Sequence, residues 1–437
     1  MINSDGFEIN SKYKVCIVGV GFVGLTLGIA LTSKGISVSG IEKNSQLVEN
    51  LNNGETDVLE PGLDEALSLA ISNDLFKVHP VGGFEESLHD CNVFIITVGT
   101  PIRDRRIDLK LLDSAVDEIV PYLKDQDLVI VRSTVMIGST RDLILPKLIA
   151  TGLTIDLAMC PERTIEGSAL AEIELLPQII GAFNEQSSNS ASKFFSTVCR
   201  EIIRVDSLEA AEVTKLVNNT YRDVMFGFSN EIARIANGFN LSAKQIIQAA
   251  NQNYERSNIA LPGPSGGPCL EKDPWILIQS ASNIGLSLDI AKSARVLNEE
   301  MIPEFLRIVL RGKKEIGNVG ILGLSFKGNP PTRDTRGSAF YDVLKFLKVE
   351  YPDTSLIGFE PAGKVAEFDH DLVQLSSIEA VVENCDVLIV LTNSNSFQQL
   401  NTTISNLGKK DLLVIDFWNV VSETALCEEQ KLFSWGG

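Results

Sequence analysis

Apolar residues along this chain gather in short β-branched runs, set apart by longer stretches of helical period. "YKVCIVGVGFVG" from Tyr13 reads as a buried strand, a glycine turn and the start of a helix. "ISVSGIEKN" from Ile36 is a second strand, and "CNVFIITVGTP" (91–101), "DLVIVRSTV" (127–135) and "TIDLAMCPE" (154–162) continue the series. Strands alternating with helices predict a parallel, doubly wound sheet. From Ser207 to Asn237 the pattern becomes one helical period with no proline and one internal glycine, which predicts a long connecting helix. More helix is expected over 242–252 and 274–312. Near residue 318 the opening pattern returns: "NVGILGLSFKG" follows "KVCIVGVGFVG", "LIGFEP" follows "VSGIEK", and "CDVLIVLT" follows "CNVFIIT", with "DLLVIDFWN" as a further strand. This is a repeat two domains long, not a solenoid. The polar residues 1–12 read as a loose tail.

The glycine turn adds chemistry to that outline. Gly19-x-Gly21-x-x-Gly24 follows a strand and opens a helix, so a pyrophosphate can approach the helix N-terminus, where N–H groups and the helix dipole favour anions. Glu42 ends the next strand, placed to accept hydrogen bonds from a ribose 2′-OH. An acid there repels a 2′-phosphate, so NAD is expected rather than NADP. The expected fold is therefore α/β, with two Rossmann-like doubly wound domains joined by a long central helix: an NAD-binding domain over 1–206, a central helical domain over 207–314 and a second α/β domain over 315–437. In the second copy, "GLSFKG" carries Ser325 in place of the middle glycine and Lys327 in the turn, so a dinucleotide is not expected there. Lys327, Arg333 and Arg336 are either a solvated basic loop or the grip on the diphosphate of a different nucleotide.

Charge narrows the partners. Lys+Arg number 38 against Asp+Glu 57, a net charge of −19, which disfavours nucleic acid. Any anionic ligand must then be held by a few local cations and backbone N–H groups. Val15 to Ser33 is uncharged and almost long enough to span a bilayer, with a G-x-x-x-G at Gly24 and Gly28. Its β-branched start, closely spaced glycines and following acid fit strand–turn–helix better than a membrane span. Seven cysteines without dense spacing fit a reducing cytoplasm. His79, His89 and His370 are scattered, so no metal site is expected.

Of the cysteines, Cys16, Cys91, Cys160, Cys199 and Cys385 lie in or beside apolar runs and read as core, and Cys427 lies in a polar stretch near the C-terminus. Cys269 differs: "GPSGGPCLEKD" (263–273) gives it a Gly/Pro approach and Lys272 and Asp273 behind. A nearby cation favours the thiolate. In a dinucleotide-binding protein such a cysteine suggests aldehyde-to-acid oxidation through a thiohemiacetal and thioester, although context alone leaves an inert loop cysteine open. On the long helix Lys215, Asn219 and Arg222 lie at i, i+4 and i+7, one face. They offer acid/base and oxyanion groups, or simply a solvated polar face. Thr134 and Glu162 follow apolar runs, where ligands sit in such sheets.

Taken together, these residues resemble the UDP-glucose/GDP-mannose dehydrogenase family, the NAD-dependent nucleotide-sugar 6-dehydrogenases. The resemblance covers about residue 13 to about residue 425, through "GVGFVG", "EPGL" (60–63), "VGTP" (98–101), "STV" (133–135), "PERTIEG" (161–167), "LPQIIGA" (176–182), "KLVNNTYRD" (215–223), "GGPCLEKD" (266–273) and "GLSFKG" (323–328). It implies a four-electron oxidation of a sugar C6 alcohol to a carboxylate with two NAD+. It also implies Cys269 as the nucleophile, Lys215 as acid/base and oxyanion group, Asn219 as supporting donor, and Asp273, Thr134 and Glu162 as groups that order water and move protons. NAD would meet Gly19, Gly21, Phe22, Val23, Gly24, Glu42, Thr100, Thr134 and Arg336. The UDP-sugar would meet Arg163, Thr164, Lys215, Asn219, Arg222, Tyr254, Arg256, Gly267, Phe326 and Lys327. Arg256 is expected to serve the neighbouring subunit's site, which implies a homodimer, and surface polysaccharide synthesis is the implied use of the product. "NTYRD", "PER" and "RSNIALPGPSGGPC" look more like dehydrogenases of UDP-N-acetylhexosamines than of UDP-glucose, since an arginine can supply the donor an acetamido group needs. UDP-glucose or GDP-mannose oxidation, and a non-catalytic NAD-binding scaffold, are the alternatives. Three positions depart from the family pattern: Glu42 where aspartate is usual, Trp418 where relatives carry a basic residue near the nucleotide, and Pro268 before the cysteine.

Overall fold

The computed structural model describes residues 12–83, 85–365 and 372–437. The predicted tail up to residue 11 and His370 lie outside the described residues. The chain divides into two compact units, one of residues 1–218 with 275–286, the other of residues 219–274 with 287–437.

Among the described residues the first unit has ten strands: β1 (Lys14–Val18), β2 (Ser37–Glu42), β3 (Phe76–Pro80), β4 (Val93–Ile96), a short hairpin of β5 (Ile102–Arg103) and β6 (Arg106–Ile107), β7 (Leu128–Val131), β8 (Asp156–Met159), β9 (Gln178–Ala182) and β10 (Ile202–Val205). Eight of them form one sheet in the order β10-β9-β8-β7-β4-β1-β2-β3. The strands read as near-continuous apolar runs because both faces are covered. Along β1, Val15 and Ile17 enter one core with Leu27 and Phe194, while Cys16 and Val18 enter the other with Val116 and Ile144. The order reverses between β1 and β4, the switch point where ligands bind in such sheets.

The expected all-parallel arrangement fails at one pair. β9 runs antiparallel to β8, with Ala158 opposite Ala182. The segment between them holds only the short helix Ala169–Leu175, and the chain returns to the sheet at the end it left instead of crossing back. "PERTIEG" therefore stays at the carboxyl edge of the strands.

The second unit repeats the plan, with six parallel strands among the described residues, β11 (Val319–Leu322), β12 (Leu356–Phe359), β13 (Leu372–Gln374), β14 (Val387–Val390), β15 (Leu413–Asp416) and β16 (Lys431–Ser434), in the order β13-β12-β11-β14-β15-β16. β11 lies between β12 and β14 as β1 lies between β2 and β4. Mixed α/β architecture with doubly wound parallel sheets is thus what the chain adopts.

The long helix runs Leu208–Phe239, 32 residues or about 48 Å at 1.5 Å per residue. The run expected over 274–312 is instead two helices, Asp273–Asn283 and Asp289–Val309. Gly285 ends the first with φ 77°. Leu286 N–H donates to the Ala281 carbonyl and Gly285 N–H to that of Ser282, a left-handed glycine stop.

Candidate active site

At the end of β1 the chain turns on Gly19 and enters the helix Phe22–Thr32, whose N-cap, Gly21, offers no side-chain hydrogen bond. A Cβ on Gly24 would stand 2.2 Å from the Gly19 carbonyl oxygen and 2.8 Å from Thr97 Oγ1, so the helix can approach the turn only with glycine there. A Cβ on Gly21 would meet nothing within 4 Å: the exposed side of the turn is open. Phe22 and Val23, both half-buried, follow it. Glu42 closes β2 with its carboxylate against the turn, accepting from Val20 N–H at 3.0 Å and from the N–H groups of Lys43 and Asn44. A glycine turn open on one side, an uncapped helix N-terminus and an acid at the next strand's end fit the diphosphate and ribose of NAD.

Further along the same edge, buried Thr100 donates to the Thr134 carbonyl at 2.6 Å, and Ser133 Oγ to that of Val98 at 2.7 Å, tying together the segments after β4 and β7. Beyond β8, Glu162 accepts from Thr164 N–H and forms an ion pair with Lys215 Nζ at 3.7 Å. Lys215 is buried, 5% exposed, which rules out the solvated-face reading for it. Arg163 donates to the Pro177 carbonyl.

Three buried charges here were not singled out in the sequence. Arg132 donates to the Cys160 carbonyl at 3.2 Å and to Gln178 Oε1 at 2.8 Å. Burial lowers its pKa, and the charge of Glu162 partly restores it. Glu60, from "EPGL", accepts from Gly167 N–H at 2.8 Å and Leu170 N–H at 3.1 Å, holding the "PERTIEG" loop. Glu212, one turn before Lys215, accepts from Gly138 N–H at 2.6 Å and Thr140 N–H at 2.8 Å. Burial raises the pKa of both acids above the usual carboxylate value. The available signal was an ionisable residue at the edge of an apolar run, and that pattern is too common to single them out.

In the second unit, Asn219 Nδ2 donates to Asp273 Oδ2 at 2.6 Å; Asn219 is buried and Asp273 fully so. Lys272 Nζ lies 3.9 Å from the other oxygen of Asp273. Cys269 sits exposed on the single helical turn Gly267–Leu270. Gly267, at φ 84°, donates its N–H to the Gly337 carbonyl, and a Cβ on it would strike the Phe326 ring at 2.4 Å. A buried network fastens the loop. Arg295 pairs with Asp223 at 2.7 Å and donates to the carbonyls of Leu270 and Ser265, and Ser265 Oγ donates to Asp223. Arg222 is exposed, as are Tyr254 and Arg256, whose guanidinium lies over the Tyr254 ring.

The five cysteines read as core are buried. Burial pushes the thiols of Cys91 and Cys385 up to about 12 and raises those of Cys16, Cys160 and Cys199 as well. None is placed to act as a thiolate at neutral pH. None of the seven is in a disulfide.

The second turn keeps the acid and extends its use: Glu360 accepts from Leu324 as Glu42 does from Val20, and from Ser325 in addition. Glu360, just beyond β12, accepts from the N–H groups of Leu324 and Ser325 at 2.8 and 2.9 Å and from Ala362 at 3.0 Å. The turn's donors are bonded to the protein itself, in keeping with the loss of the middle glycine. Lys327 lies over the Phe326 ring, and Arg336 forks onto Asp334. Among the described residues no group of three or more His, Cys, Asp or Glu side chains is placed to hold a metal, and no helix is long and apolar enough to cross a membrane.

A doubly wound sheet with this turn and acid defines a dinucleotide-binding protein of the α/β type. The comparison with known proteins is more specific. The NAD binding domain of the UDP-glucose/GDP-mannose dehydrogenase family matches residues 13–199, its central domain 209–300 and its UDP binding domain 320–423. The UDP-N-acetyl-D-mannosamine dehydrogenase of Methanococcus aeolicus is 31% identical over 97% of this chain and 94% of its own. Among solved structures, UDP-D-ManNAc dehydrogenase from Pyrococcus horikoshii is similar with a TM-score of 0.84 at 28% identity, covering 97% of this chain and 99% of that one. The UDP-N-acetyl-mannosamine dehydrogenase Cap5O from Staphylococcus aureus has a TM-score of 0.80 at 28% identity, covering 97% and 98%. The chain belongs to the UDP-glucose/GDP-mannose dehydrogenase family and is an NAD-dependent nucleotide-sugar dehydrogenase.

Proposed function

We propose that this enzyme oxidises a UDP-N-acetylhexosamine at C6 to the uronic acid through a covalent intermediate on Cys269. The observation that carries the proposal is the contrast among the cysteines: Cys269 is exposed on a turn followed by Lys272 and the Asn219–Asp273 pair, while five others are buried with raised pKa values. The C6 alcohol loses a proton and a hydride to give the aldehyde, the Cys269 thiolate adds to give a thiohemiacetal, and loss of a second hydride gives a thioester. Water then releases the carboxylate and the thiol. NAD+ supplies the hydride acceptor in both oxidations. Lys215 takes the alcohol proton and steadies oxyanion charge, with Asn219 as a second donor. Asp273, Thr134 and Glu162 order water and move protons during hydrolysis. Arg222 and Arg163 are assigned to the acetamido sugar; Arg163 donates one N–H to the Pro177 carbonyl, and the assignment falls to its other guanidinium N–H groups.

The reading has an organisation to match: an NAD domain over 1–206, a central domain over 207–314 carrying the cysteine loop, and a UDP-sugar domain over 315–437 with Phe326 and Lys327. A homodimer is part of it, with Arg256 offered to the neighbouring copy. Tyr221, Phe228, Ile235 and Phe239 support this as an exposed apolar stripe down the long helix, each more than half exposed. A cytoplasmic setting suits seven cysteines with no disulfide. The test is NADH formed per sugar across a panel of UDP- and GDP-sugars. Two per UDP-N-acetylhexosamine is expected. One would mean an alcohol dehydrogenase, turnover only on UDP-glucose or GDP-mannose would reassign the substrate, and none across the panel would leave an NAD-binding scaffold. Cys269→Ala is expected to abolish acid formation while Cys16→Ala does not.

A further inference from the structure

The departure at Trp418 has a structural counterpart on the cysteine loop. Trp418 lies two residues beyond the end of β15 and is held at two points: its backbone N–H donates to Asp416 Oδ1 at 2.8 Å, and its indole Nε1 donates to the Leu391 carbonyl, just beyond β14, at 2.8 Å. Asp416 is itself fully buried and fixed by the N–H groups of Val420 and Val421 at 2.7 Å each. The ring orientation is therefore set by the second sheet. Across its face lies Gly263, the first residue of "GPSGGPCLEKD". A Cβ built there would stand 3.0 Å from each of Cε3, Cζ2 and Cη2, three atoms spread around the six-membered ring. The backbone thus rides on the aromatic face, with no room for a side chain. From the other side, Asn230 on the long helix brackets Gly263 in both directions: Gly263 N–H donates to Asn230 Oδ1 at 3.0 Å, and Asn230 Nδ2 donates to the Gly263 carbonyl at 3.2 Å.

We propose that Trp418 is a positioning residue for Cys269. Its indole face and Asn230 clamp the entry of the loop, and Ser265 and Gly267, held by Asp223 and Gly337, pass that placement on to the sulfur. A lysine at 418 has no flat face to offer Gly263, and an arginine only a guanidinium plane smaller than the indole. The tryptophan trades a cation for a template. The proposal rests on the reading of Cys269 as the nucleophile, and its test separates the two.

The full-length protein is compared with Trp418→Ala, Trp418→Phe, Gly263→Ala and the Gly263→Ala/Trp418→Ala double variant. The rate of Cys269 alkylation by iodoacetamide is followed by mass spectrometry, with the exposed Cys427 as internal control. NADH formation is followed alongside. Trp418→Ala and Gly263→Ala are each expected to shift the Cys269 rate by about threefold or more while Cys427 is unchanged, and to lower kcat by about tenfold or more with a smaller change in KM. Trp418→Phe, which lacks both the indole N–H held by Leu391 and the outer ring under Gly263, is expected to fall between native and Trp418→Ala in both rates. The methyl added by Gly263→Ala should do less further harm once the ring is gone, so the double variant should fall short of the product of the single effects. An unchanged Cys269 rate in Gly263→Ala, or a double variant that is simply multiplicative, overturns the proposal even if Trp418→Ala fails to fold. Retained acid formation by Cys269→Ala would sink the nucleophile reading and leave the alkylation coupling of residues 263 and 418 intact.

Discussion

Replacing Asn219 by aspartate turns one buried hydrogen bond into a buried repulsion. Asn219 Nδ2 lies 2.6 Å from Asp273 Oδ2, and neither residue is more than 8% exposed. Two carboxylates at that separation repel by about 6 kcal/mol at an effective dielectric constant of about 20, equivalent to roughly four pKa units. Lys272, 3.9 Å from the far oxygen of Asp273, offsets part of this. The pair therefore keeps one proton well above the usual carboxylate range. A folded pKa raised above its unfolded value gives stability that is present below the unfolded pKa and lost as pH rises through the folded one. Asn219→Asp should accordingly be close to native in acid and fall behind as pH rises. Urea unfolding of native and variant protein at pH 5 and pH 8.5 measures this, and the variant's deficit should grow by about 3 kcal/mol between the two. The same deficit at both values would refute the reasoning, because only a shared proton makes the penalty depend on pH.

Gly21→Ala should leave unfolding unchanged yet weaken NAD binding about tenfold or more, since the added methyl stands where the diphosphate is expected; native affinity by titration calorimetry would refute the placement. Gly24→Ala should also destabilise the apoprotein by about 1–3 kcal/mol, because its Cβ meets backbone. Glu60→Ala removes the acceptor of two N–H groups and should cost about 2–5 kcal/mol in denaturant unfolding; a loss below about 1 kcal/mol would show that the loop finds other partners. The Arg141 hydrogen bond holds Glu209 down from 4.5 to about 2, so its contribution is present above pH 4.5 and lost as pH falls towards 2. Water reaches this pair, so Glu209→Gln should cost about 1 kcal/mol or less at neutral pH and flatten the acid limb of the stability curve; an unaltered limb would refute it.

The elements legible in the sequence were those specified by local pattern. β-branched runs gave the strands, the closely spaced glycines gave the first strand–turn–helix with Glu42 ending the next strand, and the long helix lies within two residues of its expected bounds. Cys269 stood out because its neighbours are small or charged while other cysteines sit in apolar runs. What escaped was set by distance along the chain. Glu60 serves an amide 107 residues away, Glu212 reaches back 72 and 74, and Arg295 meets Asp223 across 72. Each is an ordinary charged residue until the fold supplies backbone for it to hold. The break at Gly285 and the antiparallel β9 escaped for another reason. A single glycine in helical sequence is often tolerated, and strand direction depends on where the connection lies, which periodicity does not record.

The paired acids Glu42 and Glu360 bear on how the two halves can change. In both halves the acid accepts from one turn amide, Val20 or Leu324, but in the second it also accepts from Ser325, so an anion seeking that amide must first break a bond to a charged acceptor worth about 1.5–3 kcal/mol. Mutating the turn back toward glycine would leave that obstacle in place, and removing Glu360 alone would strand the amides without a ligand shaped to use them. Neither single step is rewarded. The specialisation of the second half therefore works as a ratchet, and substrate choice can drift there without the domain reverting to a second cofactor site.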